Sequence, residues 1–199
     1  MPTKKFPGLP DHIRPGVRIL FVGINPGLRS AEVGHHYAGH TNRFWKLLSE
    51  AKLVPIPLTY RDDGRLPEWG YGLTNIIDRP TAGTHELTTT DYTHGRKNLL
   101  KKIQRFRPQL LVLLGLRVRD TVFQDKISGK TKANDSSRLG LQDQSFGGAR
   151  VFVLPNPSGR NAYYSFQDML KLFRQLRRLK KNMPPSTILP DAVSRKTRG

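Results

Sequence analysis

Four short runs of nearly unbroken apolar residues, separated by stretches in which apolar residues recur every three or four positions, constrain this chain more than any other feature. They are Val17 to Val22, Tyr71 to Ile77, Leu110 to Leu114 and Val151 to Leu154. A short aliphatic run closed by Gly or Pro reads as a strand buried on both faces, and such strands belong to parallel sheets. Between the runs lie helical patterns. Phe44, Leu47, Leu48 and Ala51 follow Thr41, which is placed to cap them. Leu99, Leu100, Ile103 and Phe106 mark a helix from about Asp91 to Phe106, although Gly95 is a weak helix former. A third helix is expected from Arg117 to Ile127. A fourth lays Phe166, Met169, Leu170, Phe173, Leu176 and Leu179 on one stripe behind Ser165, with Asp168 in capping-box position. Strands alternating with helices predict an α/β fold, a three-layer α/β/α sandwich around a mostly parallel, doubly wound sheet.

The pattern covers residues 16–181 and is expected to be one domain. Residues 1–15 are Pro-rich and aperiodic, and read as a flexible arm. Residues 182–199 are basic and lack a core pattern, and read as a disordered tail. Residues 128–148, rich in Gly, Ser and Lys, predict a loop with one short edge strand. The apolar runs are too short to span a bilayer, so no membrane partner is expected.

Charge narrows the partner. Lys and Arg number 34 against 15 Asp and Glu, a formal net charge of +19. Such a surface draws in polyanions and releases their counterions, which puts nucleic acid first, ahead of a merely solvated basic surface. The chain has no cysteine, so disulfides, thiolate zinc sites and cysteine-held iron–sulfur clusters are excluded. The pair His35-His36 has no Cys or acidic neighbour at ligand spacing, and a metal is not expected.

In doubly wound sheets ligands bind beyond the carboxyl ends of the strands. Two unusual peptides fall there: Gly23-Ile24-Asn25-Pro26-Gly27 after the first strand and Pro155-Asn156-Pro157-Ser158-Gly159 after the last. Each is also an ordinary turn former. Neither has the glycine spacing of a nucleotide-phosphate cradle.

Taken together, Gly-Ile-Asn-Pro-Gly-Leu, the loop Gly34-His35-His36-Tyr37, the segment Asn42-Arg43-Phe44-Trp45-Lys46 and the late Asn156-Pro157-Ser158-Gly159 resemble the mismatch-specific uracil-DNA glycosylases and the related thymine-DNA glycosylases. The likeness runs from about residue 16 to 180. Iron–sulfur branches of that superfamily need cysteines. The branch with a Gly-Gln-Asp-Pro-Tyr-His motif would show Asp and His where this chain has Asn25 and Asn156.

The resemblance implies a monofunctional enzyme that flips uracil from double-stranded DNA and hydrolyses its glycosidic bond, best at G·U mismatches, without a cofactor. It places the Ile24 amide on a uracil carbonyl, Ser30 near the base, and Tyr37 stacked on it. Asn25 would hold the attacking water, although an amide accepts no proton at neutral pH. Asp91 is the candidate base, with helix capping as its other reading. Asp78 and Glu86 are nearby carboxylates. Asn156, Ser158, Gly159 and Arg160 would enter the minor groove, with Arg160 in the wedge place that bacterial relatives often give to Leu. Arg96, Lys97, the last helix and the tails would hold the backbone. A monomer is expected, cytoplasmic and nucleoid-associated in a bacterium or nuclear in a eukaryote. The rival reading is a non-catalytic basic module that coats nucleic acid.

Overall fold

A computed structural model describes residues 6–124 and 135–185. Five strands form one sheet in the order β2-β1-β3-β5-β4, where β1 is Ile19–Gly23, β2 Tyr71–Asn75, β3 Leu110–Leu114, β4 Gly140–Leu141 and β5 Arg150–Leu154. The first three neighbour pairs are parallel; β4 is a short antiparallel edge. β1, β2 and β3 are buried along their whole length, as the apolar runs of β1 and β3 require, and β2 carries Thr74 and Asn75 into the interior with them.

Side-chain alternation divides the core into two layers. Ile19, Phe21, Leu73, Val112 and Leu154 face α2 (Phe44–Glu50) and α5 (Phe166–Lys181). Leu20, Val22, Leu111, Leu113 and Val153 face α3 (Thr89–Phe106) and α4 (Leu116–Phe123). The expected three-layer α/β/α sandwich is therefore the fold. Ser165 and Asp168 form the predicted capping box, with Ser165 Oγ 2.6 Å from Asp168 Oδ2.

Several local expectations change. The Pro-rich arm is docked from Pro10 onward: Asp11 pairs with Lys102 at 2.8 Å, and the His12 N–H and C=O pair with Leu73, each at 3.0 Å, because β2 is an edge strand with backbone groups to satisfy. Residues 1–5 and 186–199 lie outside the described residues, and so does 125–134, onto which the Arg117 to Ile127 helix was expected to run. That helix stops at Phe123, where Gln124 turns left-handed. Thr41 does not cap α2; Asn42 Oδ1 accepts from Phe44 N–H at 3.0 Å instead. A short helix α1 (Leu28–Val33) follows the first loop. The polar segment after Pro57 is a 3-10 helix, Tyr60–Trp69, capped by Thr59 and Asp62. Gly95 lies where α3 crosses β2: a Cβ would approach the Ile76 carbonyl oxygen to 2.5 Å.

Candidate active site

The early and late loops meet. Both line one cavity of about 760 Å³ at the carboxyl ends of the strands, together with Ser30, Tyr37 and Asn75. Asn25 is fixed on the wall by its amide group, which donates to Thr81 Oγ1 (2.7 Å), the Arg79 carbonyl (3.0 Å) and the Pro26 carbonyl (3.2 Å). Its Oδ1 accepts nothing from the described residues. An amide so anchored presents one oriented acceptor to the cavity.

Tyr37 stands on a loop pinned from several directions. Ser30 Oγ accepts the Ala38 N–H at 3.0 Å, and Trp45 Nε1 donates to the His36 carbonyl at 3.2 Å. Asp63, from the 3-10 helix, accepts the His36 N–H at 2.8 Å and sits 3.0 Å from His35 Nδ1 and 3.3 Å from His12 Nε2. Burial pushes the Asp63 carboxyl up, but the close approach of His12 and the hydrogen bonds from the His36 N–H and His35 outweigh it and hold the group well below the usual carboxylate range. Burial lowers His36, whose Nε2 faces the Pro10 carbonyl at 2.9 Å. The adjacent histidines thus serve a buried carboxylate and a backbone oxygen. Held this way, Tyr37 takes a left-handed backbone (φ 55°) and packs its ring on Phe44, with centroids 4.3 Å apart. Its hydroxyl is buried without a partner, and burial raises its pKa. Gly23 makes room, since a Cβ there would come within 3.0 Å of that hydroxyl and 2.5 Å of Asn75 Oδ1.

The late loop is clamped to the early one. Arg43 donates to three of its carbonyls, Ser158 (2.9 Å), Asn161 (3.0 Å) and Tyr164 (3.1 Å), while its N–H bonds Pro157 O at 2.9 Å. Asn156 Oδ1 accepts the Ser158 N–H at 3.0 Å and shapes the turn. Gly159 lies against Thr41, where any Cβ would overlap. The exposed Arg160 bends across the mouth and donates to the Ala82 carbonyl at 2.7 Å.

This architecture has relatives. Residues 10–177 match the uracil DNA glycosylase superfamily. The chain belongs to that superfamily. Its fold is similar to the solution NMR structure of a candidate uracil DNA glycosylase from Methanosarcina acetivorans, at 17% identity and a TM-score of 0.54, over 87% of this chain and 99% of that one.

Within this superfamily member, the resemblance-derived residues Ile24, Asn25, Ser30, Tyr37, Asn156, Ser158, Gly159 and Arg160 all border the cavity. Asp91 does not. It occupies the capping box of α3, where its Oδ2 accepts from the Thr88 N–H (2.8 Å), the Thr88 hydroxyl (2.9 Å) and Arg79 Nη2 (2.8 Å). The Thr88 backbone bond, then Arg79, hold its pKa at about 2. Glu86 accepts from the Ala82 and Gly83 amides at 2.9 and 3.2 Å, and Asp78 lies 3.9 Å from Lys102. Asp120, the one carboxylate among the described residues of the cavity wall, is paired with Arg138.

Sequence reasoning missed Asn75. It ends β2, is 6% exposed, and its side chain bonds no described residue. The polar pair Thr74-Asn75 closing a buried strand was the available signal. Arg96, expected on DNA backbone, is instead turned inward: its Nε donates to the Val122 carbonyl at 2.8 Å. Lys97 is exposed.

Proposed function

We propose that this protein is a monofunctional DNA glycosylase of the mismatch-specific type, which flips uracil out of double-stranded DNA and hydrolyses its glycosidic bond, best at G·U. One observation carries the reading: an anchored Asn25 and an unpartnered, buried Asn75 share a cavity with the loop that ends in Arg160.

The chemistry follows from these groups. Bond cleavage leaves an electron-poor sugar and a uracil anion, so the site must orient a water and donate to the base. Water donating to Asn25 Oδ1 keeps a lone pair for the sugar carbon. The Asn75 amide offers one donor and one acceptor, complementary to the N–H and carbonyl edge of uracil. The Ile24 amide and the Tyr37 ring complete the base pocket, and Ser30 acts through the Tyr37 loop. No lysine is among the described residues of the cavity wall, which supports hydrolysis without a Schiff base. No unpaired carboxylate among the described residues borders the water position, so turnover is expected to be modest.

Arg160 must leave Ala82 to enter the minor groove, where it fills the vacated space and can bond the orphan guanine. Asp91 in this reading steadies Arg79, whose carbonyl holds Asn25. A labelled uracil duplex, incubated with enzyme and heated in alkali, tests the proposal: cleavage at uracil is expected, and an intact strand with excess enzyme refutes it. Equal affinity for abasic and intact duplex would favour the non-catalytic alternative.

A further inference from the structure

The site above uses one end of the sheet. At the opposite end, where β1 begins and α5 finishes, Arg18, Lys52, Arg177, Lys180 and Lys181 line a second depression of about 460 Å³ together with Leu53, with no carboxylate among its described lining residues. Arg18 is committed internally: its Nη2 donates to the carbonyls of Lys180 (3.4 Å), Met183 (3.0 Å) and Pro184 (3.1 Å), and so closes the negative end of α5. Lys180 is half-buried, with Nζ 2.7 Å from the Tyr71 hydroxyl and 4.0 Å above the Tyr71 ring. Burial, and then the charge of Arg18, bring its pKa down to about 8.

The remaining cations have no anionic partner among the described residues. Lys52, Arg177 and Lys181 form no ion pair with a described residue, and neither do Arg174 and Arg178, which continue the exposed stripe along α5. At about 1.5 Å per residue, Arg174 to Lys181 span about 10 Å, so the stripe covers the C-terminal half of α5 and ends at the far depression. Concentrated positive charge without acidic partners is self-repelling, and a polyanion relieves it. Five-residue strands put about 17 Å of sheet between the two ends, and the ends face away from each other. One straight duplex seated on the cleft does not cover both.

We infer that this far end is a second phosphodiester-binding surface, which takes a second segment of duplex DNA while the first still occupies the cleft. Lys52, Arg177 and Lys181 hold its phosphates, and the protein passes between segments without first dissociating into solution. The inference rests on the glycosylase reading for the identity of the polyanion.

Direct transfer gives a measurable signature. Full-length protein is loaded on a fluorescent abasic duplex and chased with unlabelled, uracil-free duplex at rising concentration, with anisotropy reporting dissociation. The wild-type rate is expected to rise about fivefold across a hundredfold range of competitor, since a second segment must bind before the first leaves. With Lys52→Glu, Arg177→Glu and Lys181→Glu combined, the rate should be flat. The milder triple Gln variant carries the comparison if the reversal lowers the melting temperature. A wild-type rate independent of competitor overturns the inference, and so does a variant as responsive as wild type. A chase with an acidic protein that matches the DNA in effect assigns the surface to a protein partner and overturns it equally. Uracil excision by the same wild-type preparation reports separately: its absence refutes the glycosylase reading, whatever the chase shows.

Discussion

Removing the Asp63 carboxylate should loosen the wall that carries Tyr37, and the size of the effect follows from what the carboxylate touches. Asp63 is 3% exposed, and its oxygens meet the His36 N–H at 2.8 Å, His35 Nδ1 at 3.0 Å and His12 Nε2 at 3.3 Å. In Asp63→Ala the buried His36 N–H loses its acceptor, which costs about 1–3 kcal/mol. Two imidazoles also lose an anionic neighbour, and a small cavity opens. Against this, the burial penalty of the carboxylate disappears. A net destabilisation of about 3 kcal/mol is expected, or roughly 6–12 °C in melting temperature for a chain of this size. Asp63→Asn keeps an acceptor for His36 and should lose about half as much. The functional effect is separable, because base stacking is worth about 1–3 kcal/mol: below its melting point the alanine variant should show KM for a uracil duplex raised roughly tenfold, with kcat less affected. Thermal melts followed by circular dichroism, with steady-state excision at 20 °C, measure both. A melting shift under about 2 °C with unchanged KM would show that the cluster neither supports the fold nor positions Tyr37.

Four further outcomes are expected. Asn25→Ala should slow single-turnover excision by roughly 10²–10³ while abasic-duplex affinity stays within a few-fold, because it removes water orientation and leaves the wedge. Asp91→Asn weakens the capping box of α3 and should cost less than tenfold in excision; a loss beyond a hundredfold would make it the base after all. Arg160→Leu should narrow the preference for G·U over A·U by about tenfold, the worth of a guanine contact, and unchanged discrimination would rule that contact out. Acid should destabilise the fold. His36 has a lowered folded pKa, so below about 6.5 the unfolded chain takes up the proton first, and stability falls through the folded value. Asp63, also lowered, adds its loss below about 3.9. Urea titrations at pH 7.5, 6.0 and 5.0 should show falling stability, and a rise would contradict the assignment.

The parts of this fold that were legible in the sequence are those governed by neighbours. Leu110 to Leu114 can only be a buried strand, because every side chain in the run is apolar and the pleat sends them to both faces. Ser165 and Asp168 signal a helix start because both partners of the cap lie within one turn. The 3-10 helix Tyr60–Trp69 was hidden for the converse reason. Its Asp-Asp-Gly and internal Pro67 favour turns locally, and the preference is overridden by Leu66, wholly buried in the core.

The site divides along the same line. Asn25 and the late loop were readable because each motif is contiguous and sits at a strand end. What holds them is not contiguous. Arg43 reaches carbonyls 115 to 121 residues away, and Asp63 joins His12, His35 and His36 across three segments. Periodicity carries no information about such pairings, since a lone Arg or Asp looks the same whether solvated or buried as a hub. Asp91 shows the other side of this: its sequence position allowed both a catalytic and a capping reading, and in the structure its Oδ2 accepts from Thr88 and Arg79. The functional motifs are therefore the exposed ends of a network whose interior members, Arg43 and Asp63, set where those ends point.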